Sequence, residues 1–192
     1  MLLSGGYWLS VGYPWQILTA QSALFSIFPP QGIKGMTEPN MTIRGNVSVG
    51  SGTVIKSGVY IDGNVMIGDN CQIGPNCYIR GNVSIGNTCK IGHAVEIEES
   101  VIGDRVNIEH LSFIGFSVLG NNIILGAGTT TADRRHDRGS IKVNIKEELV
   151  DSELVHLGAF IGDMVRTGIN TSVYPGRKLH YHSYTLPGEQ VK

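Results

Sequence analysis

An all-β chain wound as a parallel β-helix is predicted by three features of the sequence. Branched aliphatic residues recur at every sixth position, a second small or branched residue follows four places after each, and glycine is in excess. The first series runs Ile43, Val49, Ile55, Ile61, Ile67, Ile73, Ile79, Ile85, Ile91 and Ile97; the second runs Val47, Thr53, Val59, Val65, Cys71, Cys77, Val83, Cys89, Val95 and Val101. A period of six fits neither a helix nor a plain strand. Read as a short strand plus a turn, three such units close a triangular coil of about 18 residues. Coils stacked at about 4.8 Å put residues such as Ile61 and Ile79 in one internal column, and each buried Ile or Val contributes about 1.5–3 kcal/mol. Glycine supplies 26 of 192 residues and serves the repeated turns. With 41% hydrophobic residues and no Gly-X-Y period, collagen and disorder are both excluded.

Taken in order, residues 7–28 stand outside the repeat. Pro14 sits where a helix can begin, and Trp15, Ile17, Leu18, Ser22, Leu24, Phe25 and Phe28 make the following stretch apolar over much of its circumference, so it needs a partner surface. Pro29-Pro30-Gln31-Gly32 ends it, and residues 29–42 read as a linker. The hexads occupy 43–131, continuing through Ile102, Ile108, Ile114, Leu119 and Leu125 with one-residue contractions before Ile102 and Leu119. Residues 132–154 form an excursion, polar and basic from Ala132 to Ser140, then alternating like a strand over Ile141-Lys142-Val143-Asn144-Ile145. The pattern resumes near Val155 and runs through Ile161, Val165, Thr167, Val173, Leu179 and Thr185. The division expected is therefore 1–42 and a β-helix over 43–192.

A net charge of −1 argues against a nucleic-acid-wrapping surface, which needs a basic stripe. No apolar stretch approaches the length of a membrane span, and the N-terminus lacks the basic region of a secretory signal. Cys71, Cys77 and Cys89 fall at inward positions, in the manner of core residues, and an odd, sparse count favours a reducing, cytoplasmic setting. Asn46-Val47-Ser48 and Asn82-Val83-Ser84 match glycosylation sequons only as by-products of the repeat.

His110 is the leading candidate for chemistry. It is third in its hexad, where side chains leave the prism at a corner, and a neutral imidazole with an ordinary pKa near 6.5 can take a proton from an attacking amine. A solvated surface histidine has the same signature. His93 occupies the equivalent position three units earlier, so the two should stack on one edge; together with His156 they raise an alternative zinc site shared between subunits, for which spacing fixes no third ligand. Leu125-Gly126-Ala127-Gly128-Thr129 packs small residues where an extended ligand can lie. Arg134, Arg135, His136 and Arg138 concentrate positive charge on the excursion, and Arg80 is a lone cation at a coil edge; both suit phosphate.

The chain resembles the C-terminal acyltransferase half of bifunctional sugar-1-phosphate nucleotidylyltransferases, the archaeal type related to glucose-1-phosphate thymidylyltransferase and N-acetylglucosamine-1-phosphate uridylyltransferase. The resemblance spans nearly the whole sequence. It is carried by Tyr7 to Trp15, by Gly74-Pro75-Asn76-Cys77-Tyr78-Ile79-Arg80, by Glu109-His110-Leu111-Ser112-Phe113-Ile114-Gly115, by Leu125 to Thr129, and by Leu157-Gly158-Ala159-Phe160-Ile161-Gly162 through Asn170.

The resemblance implies a left-handed coil, which is an exception to the usual crossover rule, and transfer of acetyl from acetyl-CoA, without a metal, to the amine of an amino-sugar 1-phosphate in a homotrimer with sites between subunits. It implies His110 as general base, Arg80, Glu96, Phe113, Asp133 and Lys142 at the acceptor, and Gly126, Ala127 and Ile169 at the acetyl-CoA site. Four positions depart from the pattern: the family has Tyr at Phe113, Asn at Asp133, and Lys at Glu98 and at Gly139. A carboxylate at Glu98 repels a dianionic ligand; Lys142 is retained, and Arg138 is placed to substitute for the lost lysine.

Residues 1–42 resemble the last strand, helix and linker of the nucleotidylyltransferase domain, with Ser10 where the family holds magnesium by an Asp. Without the nucleotide loop the chain given is not expected to make a nucleotide sugar. Its apolar helix has three possible beds: its own β-helix, a sister subunit, or a separate nucleotidylyltransferase chain. The alternatives to acetyl transfer are a catalytically reduced β-helix that trimerises or regulates such a partner, and a zinc-dependent hydratase using His93 and His110.

Overall fold

The computed structural model describes residues 8–192. The chain is a left-handed parallel β-helix of about 9 turns with one short helix. Strands lie in parallel register one coil apart, Ile61 on Ile79 and Ile79 on Ile97, and the spacing tightens by one residue where Ile102 pairs with Ile85 and Leu119 with Ile102. Both contractions fall where the sequence places them. The inward aliphatics Ile55, Ile61, Ile73, Ile79, Ile97, Ile108 and Ile114 are fully buried.

Towards the C-terminal end the core turns polar, and the hydroxyls pair inside the prism. Ser117 Oγ is 3.1 Å from Thr131 Oγ1, Thr129 Oγ1 is 2.9 Å from Thr167 Oγ1, and Thr171 Oγ1 is 2.7 Å from Thr185 Oγ1. The cysteines are core residues as expected. Cys77 Sγ donates to the Gly92 carbonyl at 2.9 Å and Cys71 Sγ to the Gly86 carbonyl at 3.1 Å. Burial pushes the Cys77 thiol up to about 11.

One of the three corners is tied by a side-chain ladder. Asp69 Oδ1 accepts from Ser51 N, Asn87 Oδ1 from Asp69 N, Asp104 Oδ1 from Asn87 N, Asn121 Oδ1 from Asp104 N, and Asp163 Oδ1 from Asn121 N, at 2.6–2.9 Å. These residues precede corner positions in the left-handed region, such as Asn70 (φ 57) and Asn122 (φ 58). Their acceptors satisfy the backbone donors that the turns leave open.

The N-terminal segment differs from expectation in two ways. The strand expected within 1–42 ahead of the helix is absent from residues 8–15, residues 1–7 lying outside the described residues. The expected linker also builds the first rung: Gly32–Ile33 pairs with Ser48–Val49, and Met36–Thr37 with Val54–Ile55. The β-helix thus begins at Gly32, ahead of residue 43. Ile33, on the inward column of Val49, is 45% exposed because no coil covers this end, whereas Met36 is exposed because it stands on the outward column of Val54 and Gln72.

The helix Gln16–Ile27 takes the first of its three possible beds, its own β-helix. Trp15 and Phe25 are buried, Trp15 lying 6.4 Å from the Phe160 ring, and the buried Gln21 amide donates to the Asn82 carbonyl at 2.7 Å while its oxygen accepts from Ser84 Oγ. The excursion is a hairpin: Lys142–Ile145 pairs antiparallel with Glu148–Asp151, and Ile141 and Val143 join Trp15, Leu157 and Phe160 in a second small core.

Candidate active site

Two regions of the prism gather the residues singled out by sequence. The first is a corner edge. The Leu111 amide donates to the His93 carbonyl at 3.0 Å, Gly128 N to the His110 carbonyl at 3.0 Å, and Asn170 N to the Ala127 carbonyl at 2.7 Å. His93, His110, Ala127 and Ile169 therefore form one column along the edge, in that order. The packing leaves no room for side chains between rungs here: a Cβ on Gly126 would stand 2.7 Å from the Gly168 carbonyl carbon and 2.8 Å from Ile169 N. His110 projects from the column with its side chain 55% exposed, and the Glu109 carboxylate lies 4.0 Å from Nδ1. An exposed imidazole thus stands directly beneath a strip of backbone and small residues.

The second region is the strand face that runs from that edge to the next corner. Arg80 Nε donates to Glu96 Oε1 at 3.1 Å and Arg80 Nη1 to Glu98 Oε1, while the guanidinium carbon lies 5.6 Å from the Tyr78 ring centre. The register makes this inevitable, because Arg80 pairs with Glu98 and Tyr78 with Glu96 one coil on. Phe113 stacks on Glu96 in turn, and the Gly115 Cα beyond it is flanked by the Phe113 ring and the Asp133 side chain. Asp133 Oδ2 is 2.8 Å from His156 Nδ1, Arg134 Nη2 is 2.6 Å from His156 Nε2, and the Phe116 ring lies 5.0 Å from the imidazole.

The electrostatics of this face are set by its carboxylates. Burial raises the Glu98 carboxyl above its ordinary range, and Asp133, Glu96 and Glu99 raise it further against the opposing pull of Arg80. The arginine expected to hold phosphate is therefore already engaged by two carboxylates. A dianion arriving at Arg80 must displace them.

Arg80, Glu96, Phe113 and Asp133 thus share one face, while Gly126, Ala127 and Ile169 share the edge with His110. Lys142 joins neither. It sits in the excursion hairpin opposite Asp151. The sequence offers His156 only as a zinc ligand; the structure instead holds it between Asp133 and Arg134 at another corner from His93 and His110. The three imidazoles do not converge within one chain, and among the described residues no group of three or more His, Cys, Asp or Glu is arranged to hold a metal. The Asp133–His156 contact spans 23 residues across the excursion, and no spacing rule in the sequence points to it. No described helix is long and apolar enough to cross a membrane.

Comparison with known proteins gives matches over most of the chain. Residues 61–173 match the family model described as the GMPPB C-terminal domain. The bifunctional sugar-1-phosphate nucleotidylyltransferase/acetyltransferase of Sulfurisphaera tokodaii is 42% identical over 187 residues, which is 97% of this chain and 46% of the relative. The bifunctional protein GlmU of Methanococcus maripaludis is 49% identical over 178 residues, 93% of this chain and 43% of the relative. The chain thus spans less than half the length of these relatives. Among solved structures, the UDP-N-acetylglucosamine O-acyltransferase of Moraxella catarrhalis aligns with a TM-score of 0.45 at 17% identity, over 75% of this chain and 65% of that one.

Proposed function

The chain belongs to the family of the GMPPB C-terminal domain, and from that premise we propose that it is an acetyl-CoA-dependent N-acetyltransferase whose acceptor is an amino-sugar 1-phosphate. The observation that carries the reading is the edge itself: an outward imidazole at His110 directly beneath the small residues Gly126 and Ala127 and the Ile169 rung. The Sulfurisphaera relative that aligns with 97% of this chain is named as an acetyltransferase.

In this reading the pantetheine arm lies along the edge, and the acceptor amine attacks the thioester carbonyl. His110 Nε2 takes the proton that the amine loses, the carbon–sulfur bond breaks, and coenzyme A leaves as a thiolate that the imidazolium reprotonates. A single corner gives the acceptor only one wall, so the cleft is completed by a neighbouring protomer of a closed three-fold assembly. Arg80, Glu96, Phe113 and Asp133 line the acceptor side, and Lys142 reaches it from the excursion of a neighbour. The test is thiol release from acetyl-CoA across a panel of hexosamines and their 1-phosphates, with the mass of the assembly measured in parallel. A trimer that turns over an amino-sugar 1-phosphate and falls silent as His110→Ala supports the reading. A trimer with no turnover on any amine would refute it.

A second reading is favoured by the engaged Arg80, whose ion pairs with Glu96 and Glu98 oppose phosphate capture. Here the β-helix is a catalytically reduced subunit that trimerises or regulates a separate nucleotidylyltransferase chain, and co-purification of such a chain with an inactive trimer is its signature.

A further inference from the structure

We propose that the excursion and the closing coils form a second ligand site, apart from the His110 edge, that takes a nucleoside diphosphate. Two hollows of about 460 and 250 Å³ adjoin here, with Arg135, Tyr174 and Pro175 common to both walls. Arg134 and His136 line the first, and Lys142 and Arg177 line the second. Their combined size is that of a small-molecule pocket. Arg134, Arg135 and Arg177, to which the acyl-transfer reading gives no role, furnish its charge.

The cations are held ready. Asp137 takes two N–H groups of Arg135, at Nε (2.8 Å) and Nη2, which fixes the guanidinium plane and offsets its charge, so Arg135 offers a phosphate its remaining N–H donors while Arg134 and Arg177 supply the net positive charge. Arg134 gives one N–H to His156 and keeps the rest. Arg177 Nη1 reaches the Lys142 carbonyl at 3.4 Å, which places the two side chains on one wall. Asp137 and Asp151 are the acids of this region: Asp137 is committed to Arg135, and Asp151, which faces Lys142 in the hairpin, is bonded by Ser140 Oγ at 2.8 Å. The shared wall adds an aromatic surface, since Tyr174 is 41% exposed beside Pro175 and the Lys192 ammonium lies 5.8 Å from its ring centre.

A bare phosphate would leave that ring unused, and an uncharged planar molecule would leave the guanidinium groups without a partner. A nucleoside diphosphate satisfies both, its base against Tyr174 and its phosphates between Arg134, Arg135 and Arg177. The site does not depend on the acyl-transfer reading, because its occupancy is measured without turnover.

Calorimetric titration of the intact protein at low salt tests it, with UDP and ADP as probes and with uridine, adenosine and inorganic pyrophosphate as the two halves. The expected result is saturable binding of at least one nucleotide, at least tenfold tighter than either half, weakening as salt is raised, and undiminished by saturating coenzyme A. Arg177→Gln and Arg135→Gln should each weaken it about 10- to 100-fold, the scale of one lost charge-assisted contact. Tyr174→Ala should erase the advantage over pyrophosphate, with melting temperatures confirming that the variants fold. No heat with either nucleotide at millimolar concentration, pyrophosphate binding as well as the nucleotides, or displacement by coenzyme A would each overturn the proposal.

Discussion

Replacing Gly63 by alanine should damage the prism far more than a single methyl group implies. Gly45, Gly63 and Gly81 stack in register through the long strands Thr42–Val49, Tyr60–Ile67 and Tyr78–Ile85, where the chain bends at a corner without leaving the ladder. Gly63 has φ +134, and a Cβ there would lie 2.8 Å from Gly81 N, 2.9 Å from its carbonyl carbon and closer still to its oxygen. The partner atoms are backbone and cannot swing aside. The backbone conformation costs an L-residue about 1–3 kcal/mol, and spreading the strands forfeits one or two ladder hydrogen bonds at about 1 kcal/mol each. A loss of about 3–5 kcal/mol follows, or roughly 6–20 °C in melting temperature for a domain of this size.

Gly58→Asn is the control. Gly58 has φ +75 on a column where Asn76 already sits at φ 56, and the contact it meets is the flexible Asn76 amide. It should melt within about 3 °C of wild type, the effect of a change under roughly 1 kcal/mol. Melting of Gly63→Ala within about 2–3 °C of wild type, the shift that 1 kcal/mol produces, would refute the packing argument.

Other substitutions read separate parts of the structure. Glu98→Gln should leave stability at pH 7 equal or higher: the carboxyl is raised in the fold, so its ionisation costs stability as pH rises through that raised value, and the amide avoids the cost. Melting curves across pH 4–8 check this, and a variant less stable than wild type at pH 7 with the gap closing in acid would contradict it. Gln21→Ala should raise hydrogen exchange across Gln16–Ile27 by about the factor that 1–3 kcal/mol of lost buried hydrogen bonding allows, with little change in the β-helix; uniform exchange in both would show that the helix is not docked through Gln21. The Cys77 thiol should resist a disulfide reagent at pH 8 until the protein unfolds, and Cys77→Val should cost less than about 1.5 kcal/mol; rapid labelling of Cys77 in the folded protein would contradict its buried placement.

Much of this architecture can be read from residue spacing, because few chain paths besides a stacked triangular coil turn a side chain inward at every sixth residue. The register follows from it, including both contractions and the edge that His93 and His110 share; that Ala127 and Ile169 continue this column is seen only in the structure. The first rung escapes the pattern for a physical reason: Ile33 and Thr37, which stand on the inward columns of Val49 and Ile55, have no coil beyond them to bury against, so the terminal rung lacks the periodicity that marks the others. The second hairpin strand is hidden by its turn. Lys146 and Glu147 both take positive φ, 50° and 71°, where Asn-Gly would announce a two-residue turn, and the Asn144 side chain supports it by accepting from Glu147 N at 3.0 Å. On the acceptor face, Arg80 and Glu98 are one 18-residue coil apart, so their pairing is implicit in the repeat. The Asp133–His156–Arg134 contact is not, because it closes across an irregular excursion whose path the sequence does not specify.

The proposed chemistry rests on His110, and the steady-state kinetics of His110→Ala with acetyl-CoA and a hexosamine 1-phosphate test it most directly. General-base catalysis by this imidazole predicts a fall in kcat of about 10²- to 10⁴-fold, the usual share of such a group, with KM for acetyl-CoA within about threefold of wild type and the trimer intact. A variant that keeps its kcat, or that loses activity only through a raised KM, would mean that the imidazole does not take the proton.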